Sequence, residues 1–118
     1  MVGAVLRWVY RWLTRVRIGF KGLFFWLKTE RSLFLLWLVI LLVAILRGSS
    51  TFHIWVILIL GTCLMVAEML NTAIERLCNL INPGFSEEVR VIKDICAAAV
   101  LVSGLALVVV GSWIIAVS

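Results

Sequence analysis

The sequence predicts an all-α membrane protein: an N-terminal amphipathic surface helix followed by three transmembrane helices. Three observations predict it. Of the 118 residues, 64% are hydrophobic and only 14% charged, against roughly 45–50% apolar and about 25% charged in a soluble domain. Mean hydropathy is +1.19, more apolar surface than a small soluble chain could hide from water. The net charge of +5 is also confined. Seven of the eleven basic residues precede position 32, one is Arg47, and Arg76, Arg90 and Lys93 lie in a later polar segment. Such charge flanking apolar runs marks loops held on the cytoplasmic side against anionic lipid. It forms no soluble patch, so nucleic acid is not an expected partner. One membrane domain over 1–118 is expected. Composition excludes disorder, and length excludes separate catalytic and regulatory domains.

Residues 2–28 carry the surface helix. Trp8, Trp12, Val16, Phe20, Leu23 and Leu27 recur every three or four positions, and the arginines and lysines take the remaining arc. Tryptophan on one side and arginine on the other suits a helix lying in the headgroup plane. Gly19 and Gly22 are positions where it is expected to bend. A signal peptide fits poorly, because the basic patterned stretch is too long and no small-residue cleavage site follows Leu46.

The first span is expected over 30–47. Leu33 to Leu46 is an unbroken apolar run of fourteen between Arg31 and Arg47. A span needs about 20 residues, so the helix should begin near Thr29 with its arginines snorkelling. Gly48 to Thr51 make a turn. The second span, over 52–82, continues past its polar residues until Pro83 and Gly84 end it. His53 near its start is assigned no role beyond capping. A cytoplasmic loop over 83–90 follows. Ser86 is expected to cap the next helix, with Glu87 and Glu88 where the dipole favours anions. The third span covers 91–117, and its Ala97, Ala98, Ala99, Ser103, Gly104 and Gly111 permit close helix approach. Cys63, Cys78 and Cys96 lack paired spacing and read as small buried hydrophobes.

The chemistry concentrates in Glu68-Met69-Leu70-Asn71-Thr72-Ala73-Ile74-Glu75. Sixteen residues without an Asp, Glu, Lys or Arg, His53 among them, precede Glu68, which places it at or just below the membrane boundary. An acid deep in a bilayer costs about 2.5–3.5 kcal/mol, so it marks a functional candidate. Glu68, Asn71, Thr72, Glu75 and Asn79 share one helical stripe. A seam of hydrogen bonds to neighbouring helices explains Asn and Thr, but not two carboxylates. Glu30, where the surface helix meets the first span, should reach the level of Glu75. Together they form a candidate Mg²⁺ site, an ion that takes carboxylate and phosphate oxygens. Lys93 and Asp94 stand at the mouth of the third span; a snorkelling charge and a pair with Arg90 are their simpler readings.

Glu68-x-x-Asn71-Thr72-Ala73-x-Glu75, followed eighteen residues on by Lys93-Asp94 and an alanine-rich helix, resembles prokaryotic diacylglycerol kinase. Phe20-Lys21-Gly22-Leu23 and Thr29-Glu30-Arg31 also fit that family. The resemblance implies a homotrimeric bundle in the bacterial inner membrane, with N-terminus and active site cytoplasmic. The reaction it implies is transfer of the γ-phosphate of MgATP to a membrane lipid hydroxyl. It implies Glu68 as general base and Glu30 and Glu75 as holders of metal and nucleotide. Arg11, Lys93 and Asp94 would also meet ATP, as would Gly84, Phe85 and Ser86 by position. Lipid contacts fall to Glu68, Asn71, Ala97 and Ser32-Leu33-Phe34-Leu35-Leu36. The chain departs from the family at Asn79, where an aspartate is common, and at Gly84-Phe85-Ser86, where a Glu-Tyr-His-like stretch is usual. Leu36 and Ala97 replace polar residues found in some relatives. Diacylglycerol is the expected acceptor and undecaprenol its rival. Readings from other classes are a non-catalytic helical scaffold and a proton-coupled transporter; the latter lacks an inverted repeat and broken helices. Three helices are too few to enclose both substrates, which favours assembly between subunits.

Overall fold

The computed structural model describes every residue except Pro83 and Phe85. The described residues are helical almost throughout, and they divide into two compact units, Met1–Ser32 and Leu33–Ser118.

The first unit is one helix, α1 (Val2–Thr29). It runs unbroken through Gly19 and Gly22. Trp8 packs edge-on against Trp12 with ring centroids 6.0 Å apart, and the Arg15 guanidinium lies 5.5 Å from the Trp12 ring. That arginine therefore carries its charge over an aromatic face. Trp8, Trp12, Val16 and Phe20 are all exposed, the condition of an apolar face that a lipid surface would cover. The helix stops because Glu30 turns extended (φ −132°, ψ 103°), its N–H closing on the Trp26 carbonyl at 2.7 Å.

The second unit holds α2 (Ser32–Leu46, of which Ser32 falls in the first), α3 (Thr51–Ile81) and α4 (Glu87–Val117). The first span therefore begins later than expected. The extended Glu30 prevents a helix from starting near Thr29, and α2 has only 15 residues. At 1.5 Å per residue it is about 22 Å long, short of a hydrocarbon core of about 30 Å. In contrast α3 and α4, of 31 residues each, are long and apolar enough to cross by themselves. Only 17% of the most apolar window in either helix is buried within the chain. The rest, including Ile59, Val66, Leu101, Val102 and Val109, must face lipid or other protein, since water would not tolerate so large an apolar surface.

Ala44, Ile57, Leu64, Leu107 and Ile114 form the buried centre. Glycine sets how closely the helices approach. A Cβ on Gly61 would stand 1.9 Å from Trp37 Nε1, and one on Gly111 would stand 3.0 Å from Ile40 Cγ2. Part of the small-residue face of α4 is thus spent inside the chain, whereas Ala97, Ala98 and Ala99 remain exposed. The Trp37 indole donates to the Ile57 carbonyl at 3.2 Å. In an apolar medium such packing and hydrogen bonding hold helices together, because lipid supplies no hydrophobic drive between them.

The turns have specific chemistry. Gly48 adopts φ +77°, and Ser49 N–H bonds the Ala44 carbonyl at 3.1 Å, the glycine-dependent stop of a Schellman motif. Ser50 caps α3, its Oγ accepting from His53 N–H at 3.3 Å. The capping assigned to His53 therefore belongs to Ser50, and the imidazole instead packs edge-on against Trp113 at 5.7 Å. Arg47 reaches the Ile115 carbonyl at 3.4 Å, satisfying a helix-end acceptor. Ser86 occupies the N-cap position of α4, but its side chain makes no capping bond, against expectation. Of the cysteines only Cys78 is buried; Cys63 is exposed and Cys96 half-buried, because both lie beside a groove on the outside of the packed pair.

Candidate active site

The polar stripe of α3 runs along the helix from packed to exposed. Ile57, Gly61, Leu64 and Cys78 are its buried residues, and continuing their alternation of four and three places Glu68, Asn71 and Glu75 on the same line. Glu68 thus projects from the packed seam of α3 and not from its outward face. It is half-buried, with Oε2 covered. It lies 17 residues from the start of α3, about 25 Å along the axis, a distance approaching the thickness of a bilayer core. Thr72, one turn on, spends its hydroxyl on the Glu68 backbone carbonyl at 3.0 Å. Glu75 is exposed and sits about 10.5 Å farther along. One acid is therefore sheltered at the edge of the apolar zone, and the other meets water.

The ends of α3 and α4 join beyond Glu75. Lys93 Nζ donates to Asn79 Oδ1 at 2.8 Å. The sequence offered Asn79 as the last member of the stripe; that it binds Lys93, fourteen positions away, depends on how the helices pack. Asp94 takes the pair with Arg90, at 2.8 Å, and Arg90 also binds Glu87. These groups stand ahead of the apolar stretch that begins at Ile95. The Arg90 hydrogen bond holds the Glu87 carboxyl below its ordinary range, as expected where a donor favours the charged form.

A groove of about 480 Å³ follows α3 and α4, lined by Thr62, Cys63, Val66, Ala67, Leu70, Asn71, Ile74, Ile95, Cys96 and Ala99. Asn71, expected at the lipid, is a wall of this groove near its polar end. Ala97 is exposed and adjoins it in sequence without lining it. Within α2, Leu33 packs against the buried centre and Phe34 meets Trp37 at 5.8 Å, whereas Leu35 and Leu36 face outward. Gly84 is exposed, its N–H on Asn82 Oδ1 at 3.2 Å, and Ser86 is half-buried. Phe85 lies outside the described residues. In the first unit Arg11, Glu30 and Ser32 are exposed, with Arg11 one turn from Arg7 beside Tyr10 on α1. Among the described residues Glu30 and Glu75 enter no ion pair, unlike Glu87 and Asp94. Glu30 and Glu75 are each, taken singly, an oxygen donor of the kind a hard divalent cation takes. Among the described residues no three His, Cys, Asp or Glu side chains cluster to hold a metal ion.

Comparison with known proteins adds a family. A family model described as prokaryotic diacylglycerol kinase matches residues 17–115. A curated relative, a diacylglycerol kinase of Synechocystis sp., is 35% identical over 79 residues, covering 62% of this chain and 45% of the relative. The match spans less than half the length of that relative.

Proposed function

The chain belongs to the prokaryotic diacylglycerol kinase family, and from that premise we propose that it transfers the γ-phosphate of MgATP to the hydroxyl of diacylglycerol, giving phosphatidic acid. The observation that carries this reading is the position of Glu68 on the packed seam of α3, with one carboxylate oxygen covered at the edge of the apolar zone. A lipid hydroxyl cannot move far from the headgroup plane, so its base must sit there.

Phosphoryl transfer asks mainly for positioning and neutralisation of charge, with a base to orient the nucleophile. In the proposed reaction Glu68 accepts the hydroxyl proton as the lipid oxygen bonds to the γ-phosphorus. The bond from that phosphorus to the β–γ bridging oxygen breaks, and ADP leaves. Asn71 borders the lipid. Glu30 and Glu75 would hold Mg²⁺, which when bound draws charge from the polyphosphate oxygens. Arg11, Lys93 and Asp94 would contact the nucleotide, with Gly84, Phe85 and Ser86 nearby and Ser32–Leu36 and Ala97 along the lipid. We further propose a homotrimer in the bacterial inner membrane with the N-terminus and this site cytoplasmic. The basic residues around Arg90 and before position 32 support that orientation.

Incubating membranes that contain the chain with labelled MgATP and each candidate lipid tests the reading. Label in diacylglycerol is the expected result. Label in undecaprenol alone would move the chain to the rival acceptor, and label in neither lipid would leave the scaffold.

A further inference from the structure

The bond between Lys93 and Asn79 joins a cation to a neutral acceptor at the junction of α3 and α4. Asn79 lies on the last turn of α3, and Lys93 is in the second turn of α4. An amide oxygen orients an ammonium but takes none of its charge, and two of the three Lys93 N–H donors remain for another ligand. The surroundings keep that charge available. On its own helix Glu87 and Asp94 are both bound by Arg90. Among the described residues Lys93 enters no ion pair with Glu88 or with Glu75, one turn before Asn79 on α3. Arg90 thus occupies Glu87 and Asp94, and Asn79 fixes the lysine.

We propose that Asn79 is a positioning residue for Lys93, holding its ammonium uncompensated at the end of the α3–α4 pair to receive the polyphosphate of the nucleotide. The proposal rests on the reading of Lys93 as a nucleotide contact. A carboxylate in place of Asn79 would form an ion pair with Lys93 and compete with the phosphates. An apolar residue of the same size would release the lysine to sample other rotamers. Either change acts on nucleotide affinity and leaves the chemistry at Glu68 alone.

The test uses the full chain in lipid membranes, with affinity for the magnesium complex of a non-hydrolysable ATP analogue measured beside KM for ATP and kcat. Asn79→Asp should raise both KM and the analogue Kd by about fivefold, the upper range of an exposed ion pair, with kcat at saturating ATP unchanged. Asn79→Leu should raise them less. In a Lys93→Met background, itself weakened by at least about tenfold through loss of a charged hydrogen bond, Asn79→Asp should have no further effect. An unchanged KM in Asn79→Asp, or an equal loss in the Lys93→Met background, would overturn the positioning role. Unchanged analogue affinity in Lys93→Met alone would instead remove the nucleotide assignment of Lys93.

Discussion

Trp37 donates its indole N–H to the Ile57 carbonyl at 3.2 Å, and it reaches that oxygen only because Gly61 presents no side chain beneath the ring. The contact fastens α2 to the apolar half of α3, eleven residues before Glu68. Gly61→Ala places a methyl group where the rigid indole lies, and the ring has no flexible end with which to yield. Thermal unfolding in detergent should show destabilisation by about 1–3 kcal/mol, the usual cost of overpacking. An unshifted melting temperature would mean that the helices separate at no cost.

Glu68→Gln keeps the shape of the side chain and removes its capacity to accept a proton. A general base contributes about 10²–10⁴-fold, so kcat should fall by at least about 10²-fold while MgATP binds as before. Measured turnover within a fewfold of the wild type would assign Glu68 to packing.

On the proposed reading, Glu30→Gln and Glu75→Gln act on MgATP and not on the lipid. Each should raise KM for MgATP by about tenfold, the scale of one lost charged contact. Raising Mg²⁺ should recover part of the loss. Titrations of ATP at fixed Mg²⁺, and of Mg²⁺ at fixed ATP, separate the two effects. Unaltered curves in both variants would remove the metal assignment.

The exposed Arg90–Glu87 pair offers a test with a defined sign. Because the arginine lowers the Glu87 carboxyl pKa in the folded chain, its contribution is present above the ordinary glutamate range. It is lost as pH falls through the lowered value. Arg90→Gln should therefore melt slightly below the wild type at neutral pH, and the two curves should converge in strong acid. Divergence on acidification would reverse the assignment.

The helical class and the membrane environment are legible in the sequence because both follow from composition and from apolar runs between charges. So is the face that groups Glu68, Asn71 and Glu75, since helical periodicity alone defines it. What periodicity does not reveal is which face packs. Gly61 reads as one small residue in an apolar run until Trp37, twenty-four positions earlier, is found against it. The Asn79–Lys93 bond likewise depends on the approach of two helix ends. Local capping was legible only in part. Ser50 and Ser86 both precede a helix, yet only Ser50 turns its hydroxyl to the backbone. The late start of α2 depends on the backbone of Glu30, which turns extended inside a stretch whose side chains would permit a helix.

The brevity of α2 bears on the lipid as well as on the protein. Mismatch with a thicker bilayer is met by thinning of the surrounding leaflets or by outward reach of flanking arginines, here Arg31 and Arg47. Thinning beside α2 would draw phospholipid headgroups toward the depth of the sheltered glutamate, so short-chain membranes should favour catalysis over long-chain ones.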